Sequence, residues 1–312
     1  MTEWPSVTVI IVAAASSHSL PAALAALSDQ DYPGTVEVVV AAADTPTAQA
    51  AQGHDVLVVD NPTGRTPVGL NLAARAGSGE ILVRIDAHST VPPDYIRRLV
   101  EILTTTNADN VGGRQVPVGT TPMEKAIAAA MSSRFGAGDA RYRIGGDAGP
   151  TDTVYLGAFP RAVFERLGGY DERFLRNQDY ELNHRIRVGG GLVWFDPTIA
   201  VTYRPRTTLV ALARQYFQYG RWKRFFARTH RTLRPRQLVP PLLVVVLAVS
   251  LIGSIWWSWL AAIPALYLIG LLVVGLTALP RLGLPAFLMP VALGVMHIAW
   301  GAGFLVGQSS DR

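Results

Sequence analysis

The earliest pattern along the chain is an unbroken apolar, largely β-branched run at residues 7–15 (VTVIIVAAA). Such a run marks a strand buried on both faces. Similar runs recur at 36–42 (VEVVVAA), 55–59 (DVLVV) and 80–86 (EILVRID). Between them, residues 20–27 and 69–76 carry apolar positions at helical spacing, the second group closed by Gly77 and Gly79. Strand, helix, strand at this interval predicts an α/β domain with a mainly parallel sheet. Ligands of such sheets sit beyond the carboxyl ends of the strands, where the strand order reverses. Attention therefore falls on the residues just after Ala15, Ala42, Val59 and Ile85.

Past Pro93 the pattern loosens. It predicts a helix at 94–104, a strand at 110–117, and a helix at 121–134 whose Ala-rich centre suits either a core or a membrane face. The Gly-rich stretch 135–152 reads as a mobile loop near ligands, with 145–152 placed to close over one. A strand at 154–159 and helices at 161–167 and 177–187 follow, then a late strand at 192–195 that ends in a turn at Asp196-Pro197. Residues 209–230 predict one long helix with aromatic and basic faces, suited to a membrane interface or to packing on the sheet domain. Beyond it, 237–280 contain no Asp, Glu, Lys or Arg, and neither do 282–310. At about 20 residues per crossing, this predicts three membrane helices, 240–259, 262–279 and 285–307, with Trp256, Trp257 and Trp259 at the outer interface.

Charge sharpens the division. Only 16% of the residues are charged, against roughly 25% in soluble domains, and the deficit lies in the tail. A wholly soluble enzyme and intrinsic disorder are both excluded. Residues 204–236 hold ten basic and no acidic residues, whereas 1–203 are net acidic. The positive-inside rule then predicts three regions: a cytoplasmic α/β domain at 1–203, a basic interfacial collar at 204–236, and a multi-pass anchor in the cytoplasmic membrane at 237–312. Anionic lipid is the expected partner of the collar, and nucleic acid is not. The N-terminal residues lack the basic region of a signal peptide. With no cysteine in the chain, thiolate metal sites and cysteine nucleophiles are excluded.

Two clusters carry candidate chemistry. Asp86-Ala87-His88 ends the fourth apolar run, and alternate residues of an extended chain point to one side. A carboxylate and an imidazole there suit a divalent cation that completes its shell with phosphate oxygens and water; the plainer role is a turn cap and a packed ring. Asn177-Gln178-Asp179-Tyr180-Glu181 opens a helix, where one carboxylate serves as a cap or as a general base toward a hydroxyl. Asp179 and Glu181 cannot face the same way, so at most one acts directly.

These runs, together with NPTGRTPVGLNLAARAGSGEILVRIDAHSTVPPDYI, YLGAFPRAVFERLGGYDERFLRNQDYELNHRIR and QYFQYGRWKR, resemble family 2 glycosyltransferases, most closely the branch of succinoglycan glucosyltransferases. The resemblance implies a GT-A, Rossmann-like fold followed by a transmembrane segment. It also implies a nucleotide-diphosphate sugar donor such as UDP-glucose, a Mg²⁺ or Mn²⁺ cofactor, and inversion at the anomeric carbon. In that likeness Asp86 and His88 take the metal position, His88 standing where the family has a second Asp, and Asp179 takes the place of the catalytic base. Ala15, Ala42 and Asp44 fall at the nucleotide-binding places. Ala42 stands where the family usually has an Asp that contacts uracil. Asn61, Arg65, Asn71 and Asp86 are further candidates for the nucleotide or diphosphate, with turn and cap formation the alternative for Asn61 and Asn71. Gln178, Arg221 and Trp222 are candidates for the acceptor or diphosphate, the last two within a Gln-x-x-Arg-Trp motif.

The tail argues for a lipid-linked saccharide acceptor, because anchoring raises the effective concentration of a membrane-bound partner. Transfer to a polyprenyl phosphate and a non-catalytic scaffold for polysaccharide assembly are the alternatives. A transporter is disfavoured, since the spans offer no charged pathway.

Overall fold

Each of the four early apolar runs forms a strand: β1 (Val7–Ala13), β2 (Val36–Ala42), β3 (Leu57–Asp60) and β4 (Ile81–Arg84). Four more follow, β5 (Asn110–Pro117), β6 (Gly149–Pro150), β7 (Tyr155–Pro160) and β8 (Val193–Tyr203). These come from a computed structural model that describes residues 3–14 and 19–308. Among the described residues, one sheet has the order β3-β2-β1-β4-β7-β5-β8-β6. The chain divides into two units, Met1–Val116 with Ala140–Tyr203, and Pro117–Asp139 with Arg204–Arg312.

In the first unit β3, β2, β1 and β4 are parallel, whereas β7 runs antiparallel to both β4 and β5. The sheet is thus mixed, and only its first half matches the parallel pattern expected from the runs. Both faces of this half are covered. Ile10, Val39 and Leu82 pack with Leu70, Ala73 and Phe159 on one side. Val9, Ile11 and Val83 pack with Leu24, Ile96 and Leu99 on the other. Burial on both faces is why these strands read as continuous apolar sequence. The strand order reverses between β1 and β4, so the carboxyl ends of these two strands form the crevice.

Two expectations fail here. Residues 193–203 form one strand running through Pro197, where a turn was expected. The short strand β6 pairs only with Trp194 and Phe195; at Pro197 that edge is open, and no ladder bond needs the missing N–H. The stretch 135–152 is more ordered than a loop. It contains the short helices Arg134–Ala137 and Arg141–Ile144 and then β6, with Thr151 N–H donating to the Val193 carbonyl at 2.9 Å.

The second unit is helical: Pro122–Ser132, Arg134–Ala137, Leu209–His230, Val239–Gly253, Ala262–Leu282 and Met289–Val306. Its segments Pro235–Gly253, Ser258–Leu282 and Leu284–Val306 are long and apolar enough to cross a membrane. Thr121 and Glu124 form a capping box that starts the first helix, and the Ala-rich side of that helix (Ala126, Ala130) is buried. Its ambiguous small-residue face is therefore a packing surface within the helical unit. The long helix and the last apolar helix meet at two glycines. A Cβ on Gly220 would fall 2.0 Å from the Trp300 carbonyl oxygen, and one on Gly303 would fall 2.1 Å from that of Phe217. Only glycine fits where backbones approach this closely.

The amino end of the parallel sheet is tied by a polar knot. Thr8 Oγ1 donates to Glu37 Oε1 at 2.6 Å and accepts from Gly79 N–H at 2.8 Å and from Arg161 Nη2 at 3.0 Å. Partial burial pushes Glu37 up, but donation from Thr8, Ser78 and Gly79 outweighs it and holds the carboxyl below its ordinary value. Stability from a depressed carboxyl is full above its unfolded pKa of about 4.3 and is lost as pH falls through the lower folded value. Glu37→Gln should therefore cost about 1–3 kcal/mol at neutral pH and flatten the acid limb of the stability profile, measured by thermal unfolding across pH in detergent.

Candidate active site

The site grows from β4. Arg84 and Asp86 are alternate residues of one extended segment, so both side chains leave on the same side. A turn follows, closed by Ser89 N–H donating to the Asp86 carbonyl at 2.9 Å. Arg84 is 5% exposed. A charge so buried needs partners, and it has two: Nη2 meets Asp86 Oδ1 at 2.8 Å, and Nη1 pairs with Asp179 Oδ1. One guanidinium thus bridges the two carboxylates that the sequence singled out from distant motifs. Arg84 itself was overlooked; its signal is a lone charge inside the apolar run EILVRID.

Asp179 lies in the first turn of helix Gln178–Val188, which begins after Asn177 in a left-handed conformation that asparagine tolerates. That helix is set by a clamp on the preceding segment. Asn71 Nδ2 donates to the Tyr170 carbonyl at 2.9 Å, and Tyr170 N–H donates to Asn71 Oδ1 at 2.9 Å. Arg185 donates to the carbonyls of Leu167 and Gly169 while pairing with the buried Glu181 at 2.7 Å. Glu181 is therefore engaged in structure, and Asp179 is the carboxylate of the pair that faces Arg84. Buried Tyr170 interacts with both Arg84 and Asp179.

Electrostatics divide the two acids. Burial pushes Asp86 up, but Arg84 and then His88 overcome it, and the group sits below the ordinary carboxylate range. Burial pushes Asp179 up as well; Arg84 opposes this, the like charge of Asp86 adds to it, and the group ends above that range. Burial disfavours the Arg84 cation, yet Asp179 and Asp86 hold it firmly charged.

The donor chemistry at Asp86 and His88 fits a divalent cation. Asp86 Oδ1 is taken by Arg84, while Oδ2 has only the Tyr155 hydroxyl at 3.5 Å. His88 is exposed, its ring edge-on to Tyr203. Among the described residues no three His, Cys, Asp or Glu gather as metal ligands. A cation held there would take one oxygen and one nitrogen from the protein and the rest of its shell from phosphate and water.

The other candidates are distributed differently. Ala15 lies outside the described residues. Ala42 is buried at the end of β2, in register with Ala13 and Asp60; the exposed Asp60 is a carboxylate one strand away that the motif reading passed over. Asp44 caps helix Thr45–Ala51, accepting from Thr47 N–H at 2.9 Å and Thr47 Oγ1 at 2.7 Å. Asn61 is fully buried and builds the turn after β3, accepting from Thr63 Oγ1 at 2.9 Å and donating toward the Arg65 carbonyl at 3.3 Å. Asn71 is occupied by Tyr170. For both asparagines the turn-and-clamp role is the one realised. Arg65 donates to the Glu172 carbonyl at 2.8 Å, and Gln178 is buried at the helix start. In the helical unit Arg221 Nε donates to the Gly307 carbonyl at 2.8 Å. Trp222, 5% exposed, packs edge-on to Phe225.

Residues 8–168 match the sequence signature of glycosyl transferase family 2. The chain belongs to that family. It is 34% identical over 268 residues to succinoglycan biosynthesis protein ExoA of Rhizobium meliloti (strain 1021), covering 82% of this chain and 78% of the relative. Its fold is that of a solved mannosyltransferase, PcManGT from Pyrobaculum calidifontis, at a TM-score of 0.59, 20% identity, and coverage of 96% of this chain and 88% of that one. The family-2 glycosyltransferase thus combines a GT-A-like α/β core with three apolar C-terminal helices.

Removing the bridge tests the electrostatics directly. Arg84→Met in this glycosyltransferase leaves two carboxylates facing each other without their cation, a loss of about 3–5 kcal/mol for a broken buried pair. The two acids then have folded pKa values above their unfolded ones, so the loss should shrink as pH falls and both take up protons. Denaturant unfolding at pH 7 and pH 4.5 reads both effects.

Proposed function

We propose that this enzyme transfers a hexose, with inversion, from a nucleotide-diphosphate sugar to a lipid-linked saccharide at the membrane surface. UDP-glucose is the donor in this reading, which the relationship to a succinoglycan biosynthesis protein supports. The observation that carries it is the Arg84 bridge between Asp86 and Asp179. It joins a group suited to the donor diphosphate to one suited to an acceptor hydroxyl.

In the proposed reaction, Asp179 accepts the proton of the acceptor hydroxyl as that oxygen attacks the anomeric carbon. Its elevated proton affinity suits a base better than that of an ordinary carboxylate. Asp86 and His88 would hold Mg²⁺ or Mn²⁺, and such a cation would supply positive charge for the departing diphosphate; the mannosyltransferase of like fold was solved with GDP-Man and Mn²⁺. Arg84 orients both carboxylates and is a positioning residue. The apolar helices support a membrane anchor, with the α/β unit on the cytoplasmic side beside its acceptor. Arg221 and Trp222 would then serve by holding the helical unit together.

Asp179→Asn should lower transfer by about 10²–10⁴-fold while donor affinity changes little. Asp86→Asn should instead weaken cation-dependent donor binding. Membranes containing each variant, incubated with labelled UDP-glucose, other UDP-sugars and GDP-mannose, separate the two by product extraction and by equilibrium binding. Undiminished transfer by Asp179→Asn would remove it as the base.

A further inference from the structure

Within the helical unit, the last apolar helix runs beside two segments that are poorly suited to crossing a bilayer. The basic helix Leu209–His230 lies along it in the same direction. Gly220 sits against Trp300 and Phe304, and Gly303 against Phe217. Further along both helices, Arg221 donates to the Gly307 carbonyl and Arg224 to those of Phe304 and Leu305. These arginines satisfy the open carbonyls at the helix end. The second companion is residues 117–139. His297 Nε2 donates to the Phe135 carbonyl at 2.8 Å, and a Cβ on Gly136 would meet Met296. At the start of this companion, Glu124 pairs with Arg204, just before the basic helix.

Neither companion can span. Residues 117–139 leave the sheet-bearing unit and return to it, so both their ends belong to one side of a membrane. The basic helix carries Arg214, Arg221, Lys223, Arg224 and Arg228, charges that hydrocarbon rejects. A helix lined by such neighbours at its middle and at its end shares their depth. Its own surface agrees: Val291, Ile298 and Leu305 are exposed at seven-residue spacing, with Val306 beside them at the helix end, while Met289, Leu293 and Met296 are buried. The exposed apolar surface is one-sided, as in a helix half-immersed in an interface.

We propose that Met289–Val306 lies along the surface of an anionic bilayer, its Val291–Ile298–Leu305 stripe among the acyl chains. The chain beyond Val306 is then on the same face as the sheet-bearing unit. This replaces the three-span arrangement expected from hydropathy, which puts the two on opposite faces.

The cysteine-free chain makes the test direct. Single variants Gln308→Cys and Thr105→Cys, the second exposed in the sheet-bearing unit, are treated with a membrane-impermeant maleimide in sealed vesicles of each orientation. Both should label in the same orientation. A cysteine appended after Arg312 reports in the same way should position 308 be shielded. Labelling at 308 or at the appended position only from the face opposite Thr105→Cys overturns the proposal. The readout is independent of transfer, so it stands or falls apart from the proposed reaction.

Discussion

A single buried guanidinium organises the catalytic end of this protein. Taking Arg84 out of water is costly, and the cost is offset only because two carboxylates meet its two terminal nitrogens. The trio carries one positive and two negative charges when all are ionised. It is therefore one cation short of neutrality on the side where Asp86 Oδ2 is weakly engaged. That imbalance would suit a divalent ion at Asp86 in the proposed reaction. Burial first, and then the like charge of Asp86, raises the proton affinity of Asp179.

The bridge would not form without the clamp behind Asp179. β4 supplies Arg84 and Asp86 from the middle of the sheet, but Asp179 comes from a helix almost a hundred residues later in the chain. Asn71 holds the Tyr170 backbone, Arg185 holds the Leu167 and Gly169 carbonyls, and Glu181 is consumed by Arg185. Each of these polar groups satisfies backbone or charge inside the protein.

What the sequence disclosed follows the same physics. The parallel strands were legible because burial on both faces leaves an uninterrupted apolar run, and β1 and β2 lie where those runs do. β8 was obscured by Pro197, whose penalty vanishes where β6 stops pairing. The membership of the family was readable from motifs, and so were Asp86 and Asp179 as candidate acids. The bridging arginine was not, since a motif names acids without naming what holds them apart. Asn61 and Asn71 were ambiguous in the sequence because a side-chain amide suits a turn and a nucleotide equally well. Their hydrogen bonds, not their identities, distinguish the two.

Hydropathy is blind in a related way at the membrane. It averages around a helix axis and so measures how apolar a segment is, not which way it points. The direction of Met289–Val306 is instead set by neighbours: a glycine contact that binds it to a basic helix, and arginines that close its carboxyl end. The Gln-x-x-Arg-Trp segment lies at that contact, with Gly220 in the crossing, Arg221 on the Gly307 carbonyl and Trp222 packed on Phe225. In the proposed arrangement, a helix fixed there gives the unit an apolar side that enters the bilayer surface. Such a surface would confine the enzyme to the plane in which the proposed lipid-linked acceptor diffuses, and confinement to a shared plane raises encounter without any added contact.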